Sequence, residues 1–254
     1  MRITSFKDLN TVKENGLKKY LPSKIRIAVG MGTCGIGTGA EDVFKEFALA
    51  LKKNKINAYL TKTGCFGFCA EEPLVNISIP GKPLVVLKKV SPKEVSKILK
   101  GIKDCNFPEK NILCKIEEWD HLTDHIIFSK GLPEISNWDE IPFFKGQKKI
   151  VLRDCGLINP EDIEEYIAVG GYSSLYKVLT QMTPNALIEE IKKSRLRGRG
   201  GAGFPTGRKW ELIRQANSDI KYMVCNGDEG DPGAYMNRNE SESDPHMVLE
   251  GILI

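Results

Sequence analysis

The sequence predicts an α/β protein made of two small layered regions. Three observations predict it: β- and α-type hydrophobic periods alternate between residues 24 and 100, a second group of helical periods lies between 160 and 194, and the chain has 254 residues. That length suits two cores of about 100–150 residues each. Hydrophobic residues at 41% and charged residues at 28% exclude a disordered chain, a collagen-like fibre and a coiled coil. No apolar run approaches the roughly 18–20 residues that cross a bilayer. The opening Met1-Arg-Ile-Thr-Ser-Phe-Lys7 lacks the apolar segment of a signal peptide. A soluble, cytoplasmic protein is expected. A net charge of +4 is too small to argue for a nucleic-acid partner.

The elements follow in order. Residues 24–29 read as a strand that alternates apolar and basic residues. A glycine-dense loop, Gly30 to Gly39, leads to a helix over 40–54, whose apolar stripe is Val43, Phe44, Phe47, Ala48 and Leu51. Residues 56–62 make a second strand. Residues 74–79 and 84–90 make two more around the turn Pro80-Gly-Lys-Pro83. Ser91-Pro-Lys-Glu94 opens another helix, with Ser as cap and Pro at the first helical position. This first domain is read as 20–102. Residues 103–147 hold no sustained period and are read as an irregular connector. A second domain, 148–254, starts with a strand at 149–153 and continues with helices near 160–167, 173–181 and 184–194. Thr183-Pro184 is the start signal of the last.

After that helix comes Gly198-Arg-Gly-Gly-Ala-Gly-Phe-Pro-Thr-Gly-Arg-Lys-Trp210, with five glycines in its first ten residues. Gly198, Gly200 and Gly203 satisfy G-x-G-x-x-G, but a dinucleotide fold requires a strand before the loop, and here a helix precedes it. The Walker pattern also fails. What remains is chemistry: glycines let main-chain N–H groups approach a phosphate or a planar ring where a Cβ would clash. Arg199, Arg208 and Lys209 add positive charge, Phe204 offers a stacking face, and the run 209–216 begins a helix whose N-terminus suits an anion. A single glycine–arginine copy between helices argues against an RNA-binding segment. Residues 222–224 read as a short strand that delivers Asn226, Asp228, Glu229 and Asp231 onto a Gly/Pro turn. Asn both donates and accepts, which suits a flavin edge, and carboxylates accept from ribose hydroxyls. Gly230, Pro232 and Gly233 interrupt the alternation that a calcium loop needs.

Seven cysteines, an odd number, argue against a disulfide framework. Cys65 and Cys69 are the one close pair. Cys105, Cys114, Cys155 and Cys225 read as buried apolar thiols. His121 and His125, four apart, suit one helix face, with no third ligand in view.

The glycine loop and the acidic turn together resemble the flavin- and NADH-binding subunit of respiratory complex I, a subunit type also found in NAD-linked hydrogenases and formate dehydrogenases. The resemblance runs from Lys148 to Ile254 and includes Ile150-Val-Leu-Arg-Asp-Cys-Gly156, Tyr166-Ile-Ala-Val-Gly-Gly171 and Asp244-Pro-His246. It implies that Gly198, Arg199, Gly200, Gly201, Gly203 and Lys209 contact FMN and that Phe204 faces the nicotinamide. It also implies that Asn226, Asp228 and Glu229 hold the isoalloxazine and ribityl, and that Asp231 lies near NAD(H). Hydride transfer between NADH and FMN is the cofactors' own chemistry, so no catalytic triad is expected. Residues 32–34 and 63–69 resemble a thioredoxin-like 2Fe–2S ferredoxin domain. By that resemblance Cys34, Cys65 and Cys69 are metal ligands, while Val29 stands where the family has its first cysteine. Three readings stay open: a lost cluster in a docking domain, a non-cysteine or remote fourth ligand, or structural thiols. The expected whole is a thioredoxin-like domain followed by the first part of a complex I flavoprotein-type FMN/NADH-binding α/β domain. A 4Fe–4S cluster is expected only beyond Ile254, in a longer parent. The implied partners are other subunits of an NADH-oxidising complex, a ferredoxin-like subunit among them, with no nucleic acid and no membrane insertion. A non-catalytic docking or electron-relay subunit is the competing reading.

Overall fold

The computed structural model describes residues 3–254. The chain forms two compact units: Met1–Gly171 with Gly227–Leu249, and Tyr172–Asn226 with Glu250–Ile254. The units divide at residues 171, 226 and 249. A single stretch of chain leaves the first unit and returns to it.

The first unit is a mixed sheet with both faces covered. It opens with α1 (Phe6–Tyr20), then β1 (Ile25–Gly30), the short α2 (Thr33–Gly37), α3 (Ala40–Asn54) and β2 (Ala58–Thr63). Then come β3 (Val75–Ser78), β4 (Leu84–Leu87), α4 (Pro92–Gly101) and β5 (Ile112–Ile116). The strand order is β2-β1-β3-β4-β5. β1 and β2 are parallel, and β3, β4 and β5 are added antiparallel in turn. The first four strands have the thioredoxin order, with the parallel βαβ half joined to a ββα hairpin half.

Alternation along the strands decides what each face meets. Ile27, Val29, Val75, Ile77, Val85 and Leu87 point to one side, where Val43 and Phe47 of α3 and Val95 and Ile98 of α4 complete the main core. The other side is also buried, and there polar groups sit among the apolar ones. Arg26 Nη2 donates to Glu165 of α5 (Ile163–Ala168) at 2.8 Å, Asn76 Nδ2 donates to Gly156 O at 2.7 Å, and Thr63 Oγ1 donates to Ile158 O at 2.9 Å. The alternating basic position in β1 faces a carboxylate layer and not water. α1 closes this side against α5 at Gly16, where an added Cβ would lie 1.9 Å from Glu164 O.

Several sequence readings are corrected here. α1 is not among the elements the periodicity predicts, although Ser5 and Asp8 form a capping box at its start. Residues 103–147 are no mere connector: they supply β5 and the hairpin β6 (Glu118–Asp120)/β7 (His125–Ile127). Lys115 breaks the apolar run of β5, yet it is buried, with Nζ donating to Gly131 O at 2.7 Å. Residues 149–153 form turns and no strand. No partner strand lies there, and side chains hold the backbone instead: Trp119 Nε1 donates to Arg153 O (2.8 Å) and Arg153 Nε to His121 O (2.9 Å). His121 and His125 do not share a helix face. His121 is fully buried against Asp154, and His125 is exposed beside Glu118. The aromatic patches of 119–144 converge with Phe66 and Phe68, Phe68 stacking on Phe143 at 3.9 Å between centroids.

Asp244 ends α9 (Met236–Ser243) as a buried carboxyl near Asp154, and burial first, then that like charge, push it from 3.8 up to about 8. Between those values the native state holds a proton that the unfolded chain has released. Stability is therefore full below the lower value and is lost as pH rises through the upper one. Urea unfolding is expected to show lower stability at about pH 8.5 than at about pH 5.5, and Asp244→Asn should flatten that slope.

The second unit contains α6 (Ser173–Gln181), α7 (Pro184–Ser194) and α8 (Thr206–Gln215). Residues 222–224 are exposed and lie outside any strand. A tenth helix, Pro245–Leu253, closes the chain. Among the described residues no helix is long and apolar enough to cross a membrane.

Candidate functional site

In the second unit, α7 begins at Thr183, whose Oγ1 accepts from Ala186 N at 3.2 Å, and ends on Arg195 at φ 57. The chain then doubles back. Gly198 N donates to Phe204 O and Thr206 N to Leu196 O, each at 2.9 Å, across a bridge between Arg197 and Pro205. Residues 198–204 are thereby closed into a loop at the head of α8. Gly201 and Gly203, at φ +97 and +60, occupy backbone that favours glycine. Gly200 lies outside that region, and a Cβ on it would meet nothing within 4 Å. Gly198 is similarly open, its nearest neighbour 3.7 Å away. Neither backbone strain nor packing within this chain accounts for these two glycines. Their open main chain leaves room for a phosphate or a flat ring to approach closely. Arg199 and Lys209 are exposed, and Phe204 is 48% exposed. By contrast Gly207 is needed for packing: a Cβ there would come within 2.7 Å of Lys192, which is paired with Glu211 at 2.6 Å and ties α7 to α8. Asn226 is exposed at the end of this unit.

The remaining acidic-turn residues belong to the first unit. Glu229 accepts from Asn237 N (2.6 Å) and Arg238 N (3.2 Å), so both oxygens cap the first turn of α9. Asp228 O accepts from Asn237 Nδ2 at 3.3 Å, and Asp231 O accepts from Ala234 N at 3.1 Å. The short strand expected to present them is absent. The cap on α9 orients the turn instead.

The cysteines at 34, 65 and 69 meet in the same unit. Cys65 Sγ lies 3.9 Å from Cys69 Sγ and accepts from Gly67 N at 3.3 Å. Cys34 lies close enough to Cys69 for that thiol to act on its titration, and Arg238 Nη2 donates to Cys34 Sγ at 3.7 Å. Burial pushes the Cys65 thiol up, and the contact with Cys69 raises that of Cys34. The three thiols open onto a cavity of about 510 Å³ whose far wall is Tyr235, Met236 and Arg238. α9 is pinned there: Ser243 Oγ accepts from Cys65 N at 2.9 Å, Glu242 accepts from Thr33 N at 2.9 Å, and a Cβ on Gly64 would come within 2.3 Å of Ser243. Sequence reasoning missed Arg238 and Glu242. Their i, i+4 spacing on a helix was the available signal.

Val29, which stands where the sequence reading expects a first cysteine ligand, points into the core and is fully buried. Three thiols do not complete the four-cysteine ligation of a 2Fe–2S cluster. Among the described residues no group of three or more His, Cys, Asp or Glu side chains is arranged to hold a metal ion. Cys105, Cys114 and Cys155 are buried as expected, but Cys225 is exposed.

Residues 191–254 match the model of the Nuo51 FMN-binding domain of the Complex1_51K family. The chain is 54% identical over 110 residues to the NADP-reducing hydrogenase subunit HndC of Solidesulfovibrio fructosivorans, covering 43% of this chain and 22% of that one. It is 44% identical over 105 residues to an NADH-quinone oxidoreductase subunit of Rhizobium meliloti (strain 1021), covering 41% and 25%. The matched stretch thus spans about a fifth to a quarter of the length of these curated relatives. Among solved structures, a thioredoxin-like [2Fe-2S] ferredoxin from Aquifex aeolicus aligns at 20% identity and TM-score 0.32 over 37% of this chain and 99% of its own. An NAD+-reducing [NiFe]-hydrogenase aligns at 16% identity and TM-score 0.34 over 98% of this chain and 41% of its own.

Proposed function

We propose that this chain, whose residues 191–254 match the Complex1_51K FMN-binding domain, is part of the NADH-oxidising flavoprotein of a multisubunit redox complex. The observation that carries this is Gly200, an open glycine that the chain's own packing and backbone leave unexplained, inside the family's matched segment. In this reading the main chain of Gly198, Gly200, Gly201 and Gly203 holds the FMN phosphate, assisted by Arg199 and Lys209. Phe204 offers a face to the nicotinamide. The resemblance assigns Asn226, Asp228 and Glu229 to the ring and ribityl and Asp231 to the nucleotide. FMN, when bound, accepts a hydride from reduced nicotinamide and passes electrons on singly. The residues of this chain bind and orient. None is asked to act as acid, base or nucleophile. The electrons go to iron–sulfur clusters of partner subunits, in a cytoplasmic assembly of hydrogenase, formate dehydrogenase or complex I type. The fused thioredoxin-like unit favours the first two.

An anaerobic FMN titration of the chain, followed by NADH, tests the reading. Tight binding and bleaching of the flavin band near ~450 nm are expected. No retention of FMN would sink the proposal for this chain.

A further inference from the structure

The three-thiol pocket lacks the fourth cysteine of a cluster, yet it is built for chemistry between sulfurs. Cys65 is buried and Cys69 is exposed, and their sulfurs are already 3.9 Å apart, in contact and unbonded. A disulfide bond is about 2.05 Å long, so the two sulfurs must approach by a little under 2 Å to close it. The loop between them is short and bends at Gly67 (φ +94), where a Cβ would meet nothing within 4 Å. The cavity of about 510 Å³ gives a small molecule access to Cys69.

We propose that Cys65 and Cys69 form a reversible disulfide by exchange with a low-molecular-weight disulfide such as oxidised glutathione, which makes this pocket a two-electron thiol centre. Cys69, the exposed sulfur, attacks one sulfur of the small disulfide, and the S–S bond breaks to release the first thiol. Cys65, whose buried thiol must first give up its proton to become the attacking thiolate, then attacks Cys69 in the mixed disulfide, forming the Cys65–Cys69 bond and expelling the second thiolate, which takes up a proton. Two cysteine thiols are oxidised, one disulfide is reduced to two thiols, and the two cysteine protons end on the released thiols. Arg238, which donates to Cys34 Sγ, keeps the third thiol engaged while the pair reacts.

The test uses the full chain without flavin, so failure of FMN binding leaves it untouched. The protein is equilibrated anaerobically in mixtures of reduced and oxidised glutathione, quenched, alkylated and mapped by mass spectrometry. The expected result is coordinate loss of alkylation at Cys65 and Cys69, restored by dithiothreitol, while Cys34 stays alkylated. Cys65→Ser should instead trap glutathione on Cys69, and Cys69→Ser should abolish the linkage. The wild-type map stands even if the Cys65 variant fails to fold. A parallel sample is treated with ferrous iron and sulfide. A stoichiometric 2Fe–2S spectrum that protects all three cysteines would overturn the inference. So would a Cys34–Cys69 link, or three thiols that remain free across the glutathione series.

Discussion

Gly200→Val is expected to leave folding intact and to weaken FMN binding by about 100-fold, the upper end of what overpacking costs at ~1.4 kcal/mol per tenfold. An added Cβ meets nothing within 4 Å in this chain, so urea unfolding should shift by less than about 0.5 kcal/mol. The contrast is with Gly207→Val, whose Cβ would press within 2.7 Å of Lys192 and disturb the α7–α8 contact itself. Measuring FMN dissociation and stability side by side for both variants separates a ligand cradle from a packing glycine. If Gly200→Val binds FMN as tightly as the parent, main-chain approach at that point is not what holds the phosphate.

Glu165→Ala should cost about 3–5 kcal/mol, the penalty for a buried charge that loses its partner. Arg26 and Glu165 are 2% and 0% exposed at the side chain and 2.8 Å apart, and Glu165 Oε2 also accepts from Asn159 N at 2.8 Å. Removing the carboxylate strands a guanidinium whose remaining neighbours are the Tyr20 ring, 5.3 Å from its centroid, and Leu157 O at 3.5 Å. The double change Arg26→Met/Glu165→Leu should recover most of the loss, because no charge then stays buried. Denaturant midpoints of the three variants provide the check. A single-variant loss below about 1 kcal/mol would mean that Arg26 reaches water.

What the sequence revealed tracks how local the determining physics is. α3, α6 and α7 begin and end at the predicted residues because a 3.6-residue period, and in α7 the Thr183 cap, are properties of neighbouring positions. The chemistry of the glycine loop was legible for the same reason. α1 escaped because its buried face is sparse, with Leu9, Val12 and Tyr20 spread around Gly16, whose value lies in what it lets α5 approach. β5 escaped because a buried lysine breaks its apolar run. Residues 149–153 looked like a strand because alternation is necessary for a strand but not sufficient, and a ladder partner is a tertiary fact. Cys65 and Cys69 met as their spacing suggested. Arg238 lies 204 positions from Cys34, a separation at which no periodicity speaks.

The return of residues 227–249 to the first unit has a consequence for the order in which the chain is made. Cys65 N waits for Ser243 Oγ, 178 residues later. At about 5–20 residues per second, translation leaves roughly 10–35 seconds between the two. Throughout that interval the wall of Tyr235, Met236 and Arg238 does not yet exist, and Cys34, Cys65 and Cys69 stand uncovered on a half-built domain. The newborn chain thus exposes all three thiols before α9 arrives, whereas in the folded protein Cys65 is buried and Cys69 stays exposed.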